Sequence, residues 1–221
     1  MTEIIHLYNV WKKYRGSINY ALEDISLSFH TGEIHVLLGP NGSGKSTLIK
    51  ILTQLLPSSK GKIKYNDNLL KNSNNELKKE IGVLFDHIAH FEQLTGYENA
   101  WFFASSYGVP QEDIKSQLDY YFKWIELWDK KDDPVRTYSY GMRRKLALIE
   151  ALVHNPTILL LDEPSMGLDY QSRISLYNTL RKLASQGMAI IIASNDVNET
   201  AFLANKVSML SNGKLIVSGE P

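Results

Sequence analysis

The sequence predicts an α/β protein whose core is a mainly parallel β-sheet. Three short apolar runs, at residues 34–38, 158–161 and 188–193, have the length and composition of buried strands. The residues that follow the first run fall at helical spacing, and a glycine-rich turn lies between that strand and its helix. Buried strands followed by amphipathic helices are typical of a parallel sheet covered by helices.

Two short strands are expected before this core. Residues 3–10 and 24–29 carry β-branched and aromatic residues on either side of the turn at Arg15-Gly16-Ser17. This pattern predicts a small N-terminal antiparallel β layer. Tyr14 lies in the connection, where its ring could stack on a nucleotide base. The residues alone favour a tyrosine that packs on its own turn.

The glycine-rich turn has the sequence of a phosphate-binding loop. Glycines allow the backbone to wrap a triphosphate with successive N–H groups pointing inward, and the dipole of the following helix adds to them. Lys45 is expected to reach the β and γ phosphates, and Ser46 to ligate Mg²⁺. The turn fills the pattern G-x-x-x-x-G-K-[S/T] and consists of Gly39, Pro40, Asn41, Gly42, Ser43, Gly44, Lys45, Ser46 and Thr47.

The middle of the chain predicts two further strands and then a helical subdomain. A brief strand at 62–65, a turn at 66–68 and a buried strand at 81–85 precede a helical pattern from Tyr97 to about Trp128. We interpret its aromatic residues as core rather than as a docking surface for a membrane partner, because aromatics at helical spacing are more often buried. They are Trp101, Phe102, Phe103, Tyr107, Tyr120, Tyr121, Phe122, Trp124 and Trp128.

A second possible phosphate contact lies where another helix begins, at Ser139. A serine cap with Gly141 beside it could bind phosphate oxygens at the helix N-terminus. Taken alone, a capped amphipathic helix that ends before Pro156 is the simpler interpretation. The run from Arg143 through Arg144 to Lys145 is expected on its solvated face.

Two adjacent carboxylates follow the apolar run at 158–161. A parallel strand that ends in Asp162 and Glu163 delivers both at its C-terminal edge. In a P-loop protein the first ligates Mg²⁺, and the second can orient or deprotonate an attacking water. Asp169 then precedes a helix to about residue 184, and the last core strand leads to Asn195. The chain closes with a hairpin around residues 212–213.

Composition argues against several classes of partner. Lys+Arg and Asp+Glu are equal at 24 each, so no net charge directs the chain toward nucleic acid. The absence of cysteine excludes disulfides and thiolate metal sites. His87 and His90 lack an evident carboxylate partner, and we interpret them as ordinary polar residues. The sequence predicts no signal peptide or membrane span, so the chain is not expected to cross a membrane by itself.

Taken in order, the phosphate loop, the Ser-x-Gly helix start, Asp-Glu-Pro and Gly-Leu-Asp resemble the ATP-binding subunit of ABC transporters over essentially the whole chain. The resemblance implies one domain, 1–221, with a P-loop NTPase core and antiparallel β layer over about 1–85 and 155–221. A helical subdomain with the signature helix would occupy 86–154. The implied cofactors are ATP and Mg²⁺.

The resemblance also implies roles for individual residues. Gly39–Thr47 becomes the Walker A loop, Ile158–Glu163 the Walker B strand with Glu163 as general base, and Asp169 part of the D-loop. Tyr14 becomes the adenine-stacking aromatic. In that family two subunits face each other head to tail, so Ser139 and Gly141 would bind the γ-phosphate of ATP seated on the partner.

Three departures from the family pattern bear on activity. The signature reads Tyr138-Ser139-Tyr140-Gly141-Met142 in place of Leu-Ser-Gly-Gly-Gln. Asp86 stands where the family usually has a glutamine near Mg²⁺ and the attacking water, so it would add a third carboxylate. Asn195 replaces a histidine at the γ-phosphate, and one such electrostatic contact is worth ~3 kcal/mol. We therefore predict ATP binding nearer to normal than hydrolysis.

The implied function is an ATPase subunit, peripheral on the cytoplasmic face, that pairs with a second ATP-binding subunit and powers a polytopic membrane subunit. The variant signature and the sequence of the helical subdomain most resemble those of exporters of peptides, drugs or antibiotics. An ATP-gated assembly module with little hydrolysis is the alternative, and Asp86 and Asn195 keep it open. A soluble relative acting on ribosomes or DNA is disfavoured by the neutral charge, and a P-loop kinase by the lack of an acceptor site.

Overall fold

A computed structural model describes residues 1–66, 74–86 and 89–221. Its strands are β1 Glu3–Lys12, β2 Leu22–His30, β3 Ile34–Leu38, β4 Lys60–Tyr65, β5 Ile81–Leu84, β6 Ile158–Asp162, β7 Ala189–Ser194, β8 Lys206–Ser211 and β9 Lys214–Gly219. Its helices are α1 Lys45–Leu52, α2 Asn74–Lys79, α3 Gly96–Ser106, α4 Gln111–Trp124, α5 Tyr140–Leu152, α6 Tyr170–Ser185 and α7 Val197–Leu203.

The main sheet has the strand order β5-β6-β7-β3-β8-β9. Strands β5, β6, β7, β3 and β8 pair in parallel, and only the last pair, β8 with β9, is antiparallel. The expected closing hairpin is therefore confirmed. Because β3, β6 and β7 are buried along their whole length, their near-continuous apolar runs are explained by cover on both faces.

The N-terminal strands form a separate antiparallel layer in the order β2-β1-β4. The predicted layer is confirmed, and the brief strand after the phosphate loop helix joins it through pairing of β4 with β1. The layer packs with α1 against one face of the main sheet in a single apolar cluster, which includes Leu7, Ile25, Leu48, Leu160 and Ile191.

The other face of the sheet packs against the helices between β5 and β7. Leu159, Leu161 and Ile190 share a second apolar cluster with Ala100 of α3 and Phe122 of α4. Neighbouring residues of β6 alternate between the two clusters, since successive side chains of a strand point to opposite faces. The helical segment therefore shares its core with the sheet, and its bounds at 86–154 stay a proposal.

The aromatic residues of the helical segment divide between core and surface. Tyr121 and Phe122 are buried as expected, whereas Phe102 is 47% exposed and Tyr120 52% exposed. The remaining five are half-buried. Interpretation of the set as core is therefore correct for its centre and wrong for those two residues, which stand on the outer faces of α3 and α4.

Two expectations fall partly outside the described residues: most of the turn at 66–68, and the role of His87. Helix α2 was not expected from the sequence. Within the ranges that the structure describes, no helix has the length and apolar character needed to span a bilayer.

Candidate functional site

The phosphate-binding loop joins β3 to α1, as the motif requires. Gly44 caps α1 with φ of 109°, and Gly42 has φ of 79°, values in the left-handed region that glycine adopts without strain. A Cβ on Gly39 would lie 2.3 Å from the carbonyl oxygen of Leu210, so β8 closes one side of the loop. Lys45 Nζ donates to the carbonyl oxygens of Gly39 at 2.8 Å and Pro40 at 3.2 Å.

The hydroxyl of Ser46 meets the carboxylate of Asp162. Ser46 Oγ donates to Asp162 Oδ1 at 3.0 Å, joining the start of α1 to the end of β6. Burial raises the pKa of Asp162, while the hydrogen bond from Ser46 opposes that shift and the negative charge of Asp86 adds to it. Among the described residues no cation forms an ion pair with Asp162, although the charges of Lys45 and Lys50 favour its ionised form, and such a buried carboxylate is a favourable site for a cation.

The oxygens of Ser46 and Asp162 suit Mg²⁺, which needs few protein ligands, better than they suit a cation whose ligands all come from the protein. Mg²⁺ in proteins takes one or two carboxylates and completes its octahedron with water and substrate phosphates. Among residues 1–66, 74–86 and 89–221, no three His, Asp or Glu side chains form a metal-binding group of their own. Ser46 and Asp162 therefore could hold Mg²⁺ together with nucleotide phosphates in the adjoining loop.

Glu163 sits on a strained backbone and faces the loop lysine. Its φ of 48° is unusual for a residue with a side chain, and such strain concentrates at functional sites. Glu163 Oε1 lies 3.7 Å from Lys45 Nζ, and Oε2 accepts a 3.4 Å hydrogen bond from the backbone N–H of Asn195. Burial raises the pKa of Glu163 despite these two contacts, which moves the carboxyl toward the range useful to a general base.

Asn195 closes the cleft opposite the phosphate loop. Its side-chain Nδ2 donates to Asn41 Oδ1 at 3.2 Å, so one amide hydrogen of Asn195 is already engaged. The turn that carries Asn195 is held from behind: the hydroxyl of Ser194 donates to Glu199, and the backbone N–H of Asp196 donates to Ser194 Oγ at 3.1 Å. Glu199 is 2% exposed, and burial raises its pKa.

These side chains line one cleft of about 340 Å³. The cleft brings together the phosphate loop, both carboxylates of the strand end, Asp86 and Asn195, which the sequence separates by more than 150 positions. Tyr14 stands beside it, with its hydroxyl 3.2 Å from Thr47 Oγ1 and its side chain 43% exposed. The tyrosine thus contacts the end of the phosphate loop and leaves much of its surface open.

Ser139, Gly141 and Asp169 lie outside this cleft. Ser139 caps α5 as expected, since its hydroxyl accepts from the N–H of Met142 at 3.2 Å. Asp169 caps α6 and accepts from the N–H of Ser172 at 2.9 Å, a hydrogen bond that lowers the pKa of this exposed carboxyl. Within one chain Ser139 and Asp169 therefore cap helices, Gly141 lies in the first turn of α5, and none of the three lines the cleft of the phosphate loop.

The expectation that Arg144 is solvated is wrong. Its side chain is 3% exposed, and its guanidinium contacts Asp86, the carbonyl of Phe85 and the hydroxyl of Tyr140. Arg143 and Lys145 are half-buried and paired with glutamates, so they are not freely solvated either. A signal was present: Leu148 and Ala151, four and seven residues on from Arg144, extend the same helix face with apolar side chains.

The expectation that His90 lacks a carboxylate partner is also wrong. His90 Nδ1 lies 3.2 Å from Glu150 Oε1, and Nε2 donates to the carbonyl of Arg143 at 3.1 Å. Its side chain is 1% exposed. The pair fastens the segment after β5 to α5, a contact between residues 60 positions apart that no local pattern indicates.

Comparison with known proteins gives consistent matches. A family model described as ABC transporter matches residues 22–166. The linearmycin resistance ATP-binding protein LnrL of Bacillus subtilis is 33% identical over 90% of this chain, which spans 64% of that relative's length. The ABC transporter ATP-binding protein NatA of the same organism is 32% identical over 90% of this chain and 81% of its own length. A dimeric post-hydrolysis structure of the ATP-binding cassette MJ0796, bound to ADP and phosphate, is 27% identical, with a TM-score of 0.86 and 98% of both chains covered.

Proposed function

This chain belongs to the ABC transporter family, and from that membership we propose that it binds and hydrolyses ATP to drive a separate membrane-spanning subunit. One observation carries the proposal: the phosphate loop, the Ser46 and Asp162 pair and Glu163 meet in a single cleft. Each of these groups has a different task in phosphoryl transfer to water, and their meeting in one cleft supports their joint action on one triphosphate.

We assign the residues as follows. The inward N–H groups of the loop and the Lys45 ammonium bind the β and γ phosphates, and the ring of Tyr14 stacks on adenine. Held by Ser46 and Asp162, Mg²⁺ would supply positive charge that offsets charge developing on the phosphates. Glu163 accepts the proton of the attacking water, for which its raised pKa and its position at the cleft are suited.

Asp86 and Asn195 change the charge and the hydrogen-bond donors that face the phosphates in this cleft. Asp86 adds negative charge on the cation side of the cleft and is a further candidate ligand for Mg²⁺. Asn195 can donate one hydrogen bond toward the γ-phosphate, but its other donor is shared with Asn41 and it carries no charge. Reduced turnover is the expected result, because stabilisation of the transferred phosphoryl group is mostly electrostatic.

The remaining parts of an ABC site point to a partner. Ser139, Gly141 and Asp169 do not reach the cleft of their own chain, which supports their use on the ATP of a facing subunit. The MJ0796 cassette is dimeric, and LnrL is a resistance protein. We therefore propose a head-to-tail dimer bound on the cytoplasmic side to an exporter of drug-like or antibiotic-like compounds.

A second function is an ATP-gated assembly module with little hydrolysis. The observation in its favour is Asn195, whose neutral amide replaces a charged group at the phosphate. Both functions require ATP-dependent dimerisation, whereas only the first requires turnover through Glu163. The two are separated by comparing hydrolysis with dimerisation in the same preparation.

The test is Glu163→Gln, with phosphate release and light scattering measured at saturating Mg-ATP. We expect hydrolysis to fall about 100-fold or more, because loss of a general base costs 10²–10⁴-fold, and an ATP-bound dimer to accumulate. Glu126→Gln is the matched control, since Glu126 is exposed and pairs only with Lys145 among its described contacts. Rapid hydrolysis in Glu163→Gln would refute the general-base role, and equal slow rates with equal dimerisation would favour the assembly module.

A further inference from the structure

Arg144 is a buried cation whose partners come from two separate parts of the chain. Its Nη2 lies 3.5 Å from Asp86 Oδ1, and its Nη1 donates to the carbonyl oxygen of Phe85 at 3.1 Å. On the other side, its Nε and Nη2 donate to the hydroxyl of Tyr140 at 3.2 and 3.0 Å. The guanidinium therefore joins the segment that follows β5 to the first turn of α5.

Two of these partners are positions at which the chain departs from its family's pattern. Asp86 stands in place of a glutamine, and Tyr140 in place of the first glycine of the signature. A glutamine would offer no charge to the guanidinium, and a glycine would offer no hydroxyl. The two departures, 54 positions apart, thus supply both the anion and the acceptor for one buried arginine.

Asp86 also belongs to the cleft. It lines the same cavity as Asp162 and Glu163, and three carboxylates in one place repel each other. The Arg144 guanidinium opposes that repulsion from outside the cavity, with Nη2 at 3.5 Å from Asp86 Oδ1. Because the same Nη2 contacts both Asp86 and the Tyr140 hydroxyl, and the guanidinium is rigid and planar, the positions of these two side chains are linked through it.

The Tyr140 ring also contacts Gly167, which lies in the segment that follows Asp162 and Glu163. A Cβ on Gly167 would lie 2.7 Å from Cε1 of the Tyr140 ring, so the ring packs directly on that glycine. Gly167 has φ of 75°, and a side chain there would be strained as well as crowded. The ring therefore touches the turn that leads to Asp169, while its neighbour Ser139 caps α5.

We propose that Arg144 is a positioning residue that couples Asp86 in the ATP cleft, through Tyr140, to the signature turn, residues 138–142. The inference rests on the proposed function, because it concerns how one subunit presents its signature turn to the ATP of another. Arg144 touches no substrate and acts only through Asp86, Tyr140 and the packing on Gly167. A purely structural arginine would instead stabilise α5 without linking the cleft to dimerisation.

The first measurement is ATP-dependent dimerisation in a Glu163→Gln background, together with binding of a fluorescent ATP analogue. Arg144→Met is expected to raise the ATP concentration for half-dimerisation about tenfold, a factor that corresponds to ~1.4 kcal/mol, while changing analogue affinity less than about threefold. Adding Asp86→Gln should restore about half of this loss on a free-energy scale, since it removes the carboxylate that Arg144 contacts. Lys145→Met, one position along α5 and paired with Glu126, is the matched control and should leave half-dimerisation unchanged.

The second measurement does not depend on ATP. In the nucleotide-free chain, hydrogen exchange at residues 139–142 should be about fivefold faster in Arg144→Met than in the parent, because the Tyr140 hydroxyl loses its donor. If Arg144→Met does not fold, Arg144→Lys retains the charge beside Asp86 but loses the fork, and should show the same exchange effect with a smaller change in dimerisation.

The outcomes separate the inference from the proposed function. Unchanged half-dimerisation in Arg144→Met, or no restoration by Asp86→Gln, would overturn the coupling while leaving the ATPase intact. A Glu163→Gln parent that never dimerises with ATP would overturn the proposed function and, with it, the effect on dimerisation; faster exchange at residues 139–142 would then support only the contact between Arg144 and Tyr140. Exchange at residues 139–142 that is the same in Arg144→Met, Arg144→Lys and the parent would overturn it outright.

Discussion

Replacing Asn195 with histidine is expected to accelerate ATP hydrolysis. Asn195 directly follows β7 and lines the cleft of the phosphate loop, where its Nδ2 donates to Asn41 Oδ1 at 3.2 Å. An imidazolium at this position would add positive charge where negative charge develops on the transferred phosphoryl group. The turn itself should tolerate the change, because the Asn195 side chain is exposed.

The size of the effect follows from the contacts that asparagine already makes. A charged donor at a transition state contributes about 3 kcal/mol, and a neutral hydrogen bond from the amide about 1 kcal/mol. The difference, about 2 kcal/mol, corresponds to a rate increase of about 30-fold. Because the Asn41 carbonyl competes for the amide hydrogen, the contribution of asparagine cannot be much larger than this.

The assay is phosphate release at saturating Mg-ATP between pH 6 and pH 8.5. The ordinary pKa of histidine is about 6.5, so the gain in Asn195→His should be greatest at the acidic end and shrink as the imidazole loses its proton. Asn195→Ala should be slower than the parent at every pH. Asn198→His is the matched control, since Asn198 lies three positions on at the start of α7 and outside the cleft.

Two results would refute the reasoning. If Asn195→His hydrolyses ATP at the parent rate across the whole pH range, the missing histidine does not limit turnover. If the rate rises equally in Asn198→His, the gain has nothing to do with the γ-phosphate.

Two further predictions concern the walls of the site. Burial raises the pKa of Glu199 above its unfolded value of about 4.5, so its contribution to stability is complete below that pH and is lost as the pH rises through the folded pKa. Glu199→Gln should therefore raise the melting temperature measured by calorimetry by about 2–4 °C at pH 8 and by less at pH 5. An equal shift at both pH values would contradict this. Tyr14→Ala should weaken binding of a fluorescent ATP analogue roughly tenfold, since stacking on a base is worth about 1–3 kcal/mol. Tyr14→Phe, which keeps the ring and loses the hydrogen bond to Thr47, should bind normally; equal affinities of the alanine and phenylalanine variants would exclude stacking.

The phosphate loop was predictable from sequence because its chemistry is local. The loop needs glycines at fixed spacing, a strand before it and a helix after it, and all of these lie within residues 34–52. The strand that ends in Asp162 and Glu163 is recognisable for a similar reason, since continuous apolar residues indicate burial on both faces. The helix caps at Ser139 and Asp169 are local as well, because each side chain accepts a hydrogen bond from the backbone N–H three residues later.

What only the tertiary structure decided are the contacts between distant segments. Arg144 belongs to a charged run in the sequence, and its burial depends on contact between α5 and Asp86, which lies 58 positions earlier and two residues after the end of β5. The pairing of His90 with Glu150 likewise depends on two distant segments packing together. A sequence pattern shows the periodicity of one helix or strand, whereas the pairing of buried charges depends on which elements pack together. Because a charge is costly to bury without a partner, the charged groups that such packing brings together form pairs. The sequence by itself determined the motifs of a phosphate-binding cleft, and the fold determined which buried charges meet around it, such as Arg144 with Asp86.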